Sequence, residues 1–227
     1  MKALFAGLAF LLSTPVAAAV PKAPATADHR VTAVESAEGW TFGKAGAPLL
    51  TEYASYGCPH CGQYAAATTT RLNGLVKAGK LRFSWRPFLI FPQDRAAAVL
   101  TRCVAPKRRL AFIEALMAQQ EAIGSALKAA DADETRRAAL YEAELAGPVA
   151  YAREIAKVTG MLPLAEGFGL NAVGAAKCLA SAANHAWVTN ADMTARLNGV
   201  TGTPSFFWKG GKLPAGTPDD LLALLPQ

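Results

Sequence analysis

Cys58-Pro59-His60-Cys61, preceded by Pro48-Leu49-Leu50-Thr51-Glu52-Tyr53-Ala54-Ser55-Tyr56-Gly57 and followed by Gly62-Gln63-Tyr64-Ala65-Ala66-Ala67, decides how this chain is read. An apolar, β-prone run leads into the four residues and an alanine-rich, helix-prone run leads out. Strand, turn, helix is the setting that makes a C-x-x-C a redox motif. A cysteine at a helix N-terminus sits among unpaired backbone N–H groups and at the positive end of the helix dipole, and both favour thiolate over thiol. Pro59 suits the first helical turn, where its missing N–H costs nothing. His60 can place a donor or a positive charge beside the sulfur. Cys58 is therefore expected to be the exposed, low-pKa nucleophile, and Cys61, one turn on, the buried resolving thiol.

Three other readings compete. A haem attachment site needs His directly after the second Cys, and that position is Gly62. Half of a zinc site is conceivable, with Cys58, His60 and Cys61 as ligands, but no second C-x-x-C or H-x-H completes a closed tetrahedral set. A purely structural bridge across so short a loop would stabilise little. Redox chemistry is the reading retained, with neither metal nor cofactor called for.

The chain has 227 residues, 52% of them apolar, with four cysteines and a net charge of +6, enough length for one large or two small domains with a proper core. The lysines and arginines are spread along helical stretches, densest at Lys107-Arg108-Arg109, without an aromatic-interleaved basic stripe. They read as a solvated surface rather than a nucleic-acid site. At the N-terminus Lys2, the apolar run Ala3 to Leu12 and Ala17-Ala18-Ala19 before Val20 read as a cleavable secretory signal over residues 1–19. The apolar run is too short to span a bilayer comfortably. Export would put the cysteines where disulfides persist, in a periplasm.

Residues 20–38 lack periodicity and read as a flexible lead-in, with no role for His29. Trp40-Thr41-Phe42 is expected to be a short edge strand, Leu49 to Tyr53 a central buried strand, residues 59–77 a helix ending near Gly79, and Leu81 to Arg86 a second alternating strand stopped by Pro87. From about Asp94 to Arg196 strand signals vanish, and i, i+3, i+4 spacing takes over, as in Leu110, Ile113, Leu116 and Met117. Pro106 and Pro148 sit where helices would start, and the last helix of the segment is expected over Ala182 to Leu197. Phe206 to Trp208 reads as a strand, with a hairpin turn centred on Gly210-Gly211 and a partner strand from Leu213. Thr217-Pro218 would cap a helix over Asp219 to Leu225. His185 and Trp187, on a predicted helix, are expected to pack rather than to bind a ligand.

The motif, the run Glu52-Tyr53-Ala54-Ser55-Tyr56 before it and Gly202-Thr203-Pro204-Ser205-Phe206 downstream resemble the DsbA family of thiol:disulfide oxidoreductases, over about residues 39 to 227. The resemblance implies an α/β fold: a thioredoxin-like central sheet flanked by helices, interrupted by an all-helical insertion. The thioredoxin-like part would comprise residues 39–93 and 196–227, and the insertion 94–195. It implies that Pro204 is a cis-proline facing the redox pair and that the backbone of Thr203 pairs with an extended substrate. The best-known members carry valine before this proline, and threonine occurs in branches that reduce or isomerise disulfides. It also implies that Glu52, costly in an apolar strand without a partner or a task, is a buried acid that relays the proton of the resolving thiol; the alternative is an exposed, edge-facing Glu. Some relatives carry a second disulfide in the helical part, so Cys103 and Cys178 are expected either to pair or to remain two buried thiols.

The function expected is that of a periplasmic enzyme, monomeric by default, which introduces disulfides into unfolded exported proteins through Cys58 and Cys61. By resemblance, an inner-membrane partner re-oxidises it. Two alternatives stand beside it: a periplasmic disulfide reductase or isomerase, and a non-catalytic protein that binds unfolded chains or a metal.

Overall fold

The computed structural model describes residues 31–214 and 216–226. The expected signal sequence and His29 lie outside the described residues. Six strands form one sheet: β1 Val34–Glu35, β2 Trp40–Phe42, β3 Leu49–Ala54, β4 Arg82–Pro87, β5 Ser205–Trp208 and β6 Gly211–Lys212, in the order β1-β2-β4-β3-β5-β6. β3 and β4 run parallel, joined by the helix α1, Pro59–Lys77; every other pair is antiparallel. Parallel neighbours need a crossover, and α1 supplies it. β3 has a neighbour on each side, and five of its six residues are buried, so its near-continuous apolar run matches a strand covered on both faces.

Eight consecutive helices fill the stretch between β4 and β5: α2 Asp94–Cys103, α3 Arg109–Ala118, α4 Gln120–Ala132, α5 Glu134–Leu145, α6 Pro148–Val158, α7 Met161–Gly167, α8 Ala172–Ala180 and α9 Ala182–Leu197. α2 lies at the centre of this group. Ala96, Ala97, Ala98, Val99 and Leu100 are all fully buried, and small side chains let α3, α6, α8 and α9 approach it closely. The sheet and the helices share one continuous core, which runs from Trp40, Leu50 and Trp85 through Leu100 and Phe112 to Ile155 and Met161. α10, Pro218–Ala223, begins with a capping box between Thr217 and Asp220 and packs on α1.

Several local expectations are corrected. The lead-in expected over residues 20–38 ends early: Val34 and Glu35 form β1, so Trp40–Phe42 is second from the edge. Glu35 explains why. Its carboxylate accepts from Trp40 Nε1, Arg102 Nε and Arg109 Nη1, which ties the strand to α2 and α3. Arg109 belongs to no solvated patch. It is buried and donates to the carbonyls of Thr101, Arg102 and Val104, closing the C-terminus of α2 whose last carbonyls lack partners within the helix. Pro106 precedes α3 by a turn rather than starting it. The hairpin turns on Lys209-Gly210, both at positive φ, with Gly211 already paired to Trp208. Pro87 closes β4 as its last residue, and the last helix is Pro218–Ala223 rather than residues 219–225.

Cys103 and Cys178 are joined in a disulfide that ties the end of α2 to α8 across 75 residues. The Asn184 amide donates to the Cys178 carbonyl beside it. His185 and Trp187 pack as expected: His185 is buried with Nε2 against the Leu179 carbonyl, and Trp187 lies against the Trp40 ring and donates to the Ser36 carbonyl. Replacing both Cys103 and Cys178 by Ala is expected to lower the unfolding free energy by about 4 kcal/mol, the chain-entropy value for a loop of this size. Urea titration of the oxidised protein against the double variant measures it.

Candidate active site

β3 delivers the chain to the redox motif from the middle of the sheet. Cys58 is the N-cap of α1 with extended backbone, Pro59 is the first helical residue, and Gly62 N–H donates to the Cys58 carbonyl to close the first turn. This is the strand–turn–helix setting the sequence predicts. Cys61 is fully buried, as expected, and both thiols are free. Cys58 departs from expectation: it is only 6% exposed rather than open to solvent. The loop before β5 covers it, with the Thr203 carbonyl 3.4 Å from its sulfur as acceptor. The Thr203–Pro204 peptide is cis, and Thr203, 145 positions downstream of Cys58, stands against its sulfur.

The two sulfurs have opposite acidities. The Cys61 thiol donates to the Cys58 sulfur, and the backbone N–H groups of Cys61 and His60 add to it. Together they outweigh partial burial and bring Cys58 from 9.0 down to about 5. The same hydrogen bond, followed by burial and by the charge of Glu52, pushes Cys61 far above the usual thiol range. Near neutral pH the reduced pair therefore holds one thiolate, on Cys58, and one thiol, on Cys61.

Glu52 is buried inside the sheet, in register with Trp85 of β4 and Phe206 of β5. The edge-facing alternative is thus excluded. Burial, with the Cys58 charge adding, raises its carboxyl from 4.5 to about 8, and Oε1 has no hydrogen-bond partner among the described residues. A carboxyl with these properties, felt electrostatically by both cysteines, is poised to exchange a proton around neutral pH. His60 is exposed at the second helical position.

A second buried carboxylate has no clear signature in the sequence. Asp94, at the start of α2, is fully buried and accepts from Ser55 Oγ, Gly57 N–H, Ile90 N–H and Phe91 N–H at 2.7 to 3.0 Å. Burial raises it from 3.8 to about 6 against these four donors. It pins the three residues before Cys58 to the loop after β4. Gly57 permits the approach, since a Cβ there would stand 2.5 Å from Cβ of Phe91. The only trace of this in the sequence is an acidic residue at a helix start, which is common for dipole reasons alone.

A family model described as Thioredoxin matches residues 35–227. The chain belongs to the thioredoxin family. A protein-disulfide isomerase from Novosphingobium aromaticivorans is similar over 82% of this chain and 97% of its own, with 28% identity and a TM-score of 0.69. The MdbA thiol-disulfide oxidoreductase of Actinomyces oris matches at 23% identity and TM-score 0.55, covering 85% of this chain and 86% of that one. Wolbachia pipientis α-DsbA1 matches at 18% identity and TM-score 0.57, covering 79% of each. The likeness at these lower identities is one of fold, the DsbA-type version of the thioredoxin architecture with helices between β4 and β5. No curated protein sequence matches the chain.

The two carboxyls make separable predictions. In Glu52→Gln, the step near pH 8 is expected to vanish from the pH–rate profile of disulfide exchange, while the Cys58 thiolate absorbance still titrates near pH 5. Linkage runs in opposite directions for the two groups. Cys58 has a depressed pKa, so its ionisation stabilises the reduced fold as pH rises from about 5 to 9; Glu52 has a raised one, so its contribution is full below 4.5 and lost as pH rises through 8. Reduced Glu52→Gln protein should consequently gain more stability between pH 5 and pH 8 than the parent, by urea midpoint. Asp94→Ala strands three backbone donors, at about 1–3 kcal/mol for each one left buried and unsatisfied. A loss of at least about 2 kcal/mol in the same assay is expected.

Proposed function

We propose that this thiol:disulfide exchange enzyme works as an oxidase, donating the Cys58–Cys61 disulfide to unfolded exported proteins. The observation that carries the reading is the acidity of Cys58. A thiolate held at about 5 stabilises the reduced pair, and a disulfide whose reduced form is stabilised is a strong oxidant; DsbA is the reference case for that principle.

A substrate thiolate attacks the Cys58 sulfur, forming a substrate–Cys58 bond and breaking the Cys58–Cys61 bond. The electron pair goes to Cys61, which takes a proton from Glu52. A second substrate thiol, once deprotonated, attacks the substrate sulfur of the mixed disulfide. Cys58 leaves as its thiolate, the better leaving group for its low pKa. The substrate loses two electrons and the enzyme pair gains them. Thr203, whose carbonyl flanks the Cys58 sulfur, and cis-Pro204 line the approach; Thr203 offers backbone groups to an extended substrate while the proline presents no N–H to the thiolate. Pro59 and His60 supply the first turn that faces the sulfur.

The signal-like N-terminus supports a periplasmic site of action, where a membrane partner would return the pair to the disulfide. Among the described residues no helix is long and apolar enough to cross a membrane. Thr203 favours a second reading through the same pair: reduction, which reverses the electron flow, or isomerisation, which reshuffles substrate disulfides with no net electron transfer.

Equilibration with glutathione separates the two. A potential well above that of thioredoxin is expected, and a thioredoxin-like value would assign the chain to reduction. Cys61→Ser is expected to trap substrates as mixed disulfides on Cys58 in a periplasmic extract, visible as bands that collapse on reduction. A clean gel would exclude both directions of exchange.

A further inference from the structure

A groove of about 1370 Å³ opens beside the redox pair, on the side of α1 that faces the helices rather than the cis-proline. Gly57 and Pro59, the neighbours of Cys58 on either side, form its near end. From there it follows one stripe of α1 made of the small residues Gly62, Ala66 and Thr70. The facing wall carries Met117, Leu127 and Tyr151, from α3, α4 and α6. Pro59 to Thr70 is a rise of about 16 Å at 1.5 Å per residue, which about five residues of extended chain would cover at about 3.3 Å each.

The charge of this groove runs against that of the chain. The whole sequence has 23 basic and 17 acidic residues. The groove has four carboxylates, Glu114, Glu121, Asp131 and Glu144, against two cations, Lys128 and Arg137. Glu114 is held by the Asn73 amide, whereas Glu121, Asp131 and Glu144 are exposed at the rim. Arg137 is directed to the Asp131 carbonyl, not to its carboxylate.

We infer that this groove binds the segment flanking the reacting cysteine of an unfolded substrate, and that it selects apolar segments carrying lysine or arginine. The inference rests on the exchange function proposed above and adds its substrate class. Gly57 and Pro59, which flank Cys58 in the chain, give the occupant its register: a chain joined to Cys58 through its own cysteine lays about five neighbouring residues along the stripe. The apolar walls take its apolar side chains, and the acidic rim takes its cations. Electrostatic complementarity of this kind acts mainly on encounter and choice of partner.

Two reduced peptides test it, each with one cysteine pair in the same apolar sequence, flanked by lysines in one and by glutamates in the other. The oxidised full chain is mixed with each, and loss of peptide thiol is timed. At low salt the lysine peptide is expected to be oxidised about tenfold faster, the effect of a few exposed pairs, and the ratio should shrink as salt screens them. In Glu121→Lys/Asp131→Lys, with each rate divided by that variant's own rate with glutathione, the ratio is expected to fall towards one. Equal rates in the parent, or a preference that the double variant keeps, would overturn the groove while leaving exchange intact. Failure to oxidise glutathione as well as both peptides would overturn the exchange reading and the groove with it.

Discussion

One hydrogen bond sets the character of the site: the Cys61 thiol donating to the Cys58 sulfur. It lowers one pKa and raises the other, so the reduced pair divides into a nucleophile and a reserve thiol. That division needs Cys61 dry and Cys58 at a helix start, and both needs are met by the order of elements. β3 runs through the middle of the sheet and leads to the pair, Cys58 is the N-cap of α1, and the loop before β5 closes over the sulfur. The cost falls on Glu52, an acid placed between Trp85 and Phe206 in register.

Two buried carboxyls stand near the motif, and their surroundings give them different tasks. Asp94 is met by four donors, three of them backbone N–H groups. Groups that favour the charged form resist its protonation, so its carboxylate acts as a structural clasp on the residues before Cys58. Glu52 has burial and a neighbouring negative charge, both of which favour the neutral form. A carboxyl with a pKa near 8 can hold a proton at neutral pH and still release it. The contrast lies in the donors, not in depth of burial, since both side chains are almost fully enclosed.

The strand and helix framework was legible because its signals are local. Leu49 to Tyr53, the alanine-rich run after Cys61 and the spacing through residues 94–196 each state their own period, and the last of these helices occupies the residues its spacing predicts, Ala182–Leu197. What the sequence hid depends on contacts made at long range. Arg109 looks like part of a basic surface cluster until α2 is present to offer three carbonyls to it. Val34 and Glu35 have no strand signature, and they pair because Glu35 finds Trp40, Arg102 and Arg109. The C-x-x-C motif alone puts Cys58 in the open, since it says nothing about the Thr203 carbonyl, 145 residues away, that covers the sulfur. The turn at Lys209-Gly210 differs by one residue from the expected one because pairing to Trp208 draws Gly211 into the strand.

The helices between β4 and β5 stand close to the motif for a reason visible in two glycines. A Cβ on Gly57 would meet Phe91 and Gln93 just before α2, and one on Gly62 would meet the Gln120 side chain at 2.3 Å. Glycine at these two positions lets both the loop and the start of α4 come within contact of the first turn of α1. The contact at Gly57 is against a β-carbon, which cannot rotate away, so that site tolerates no larger residue; the contact at Gly62 is against the end of a flexible amide, which can yield. The redox turn is thereby gripped rigidly on the side of Asp94 and more loosely on the side of α4. Both contacts lie along the groove beside α1, so its wall is fixed at Gly57 and more yielding at Gly62.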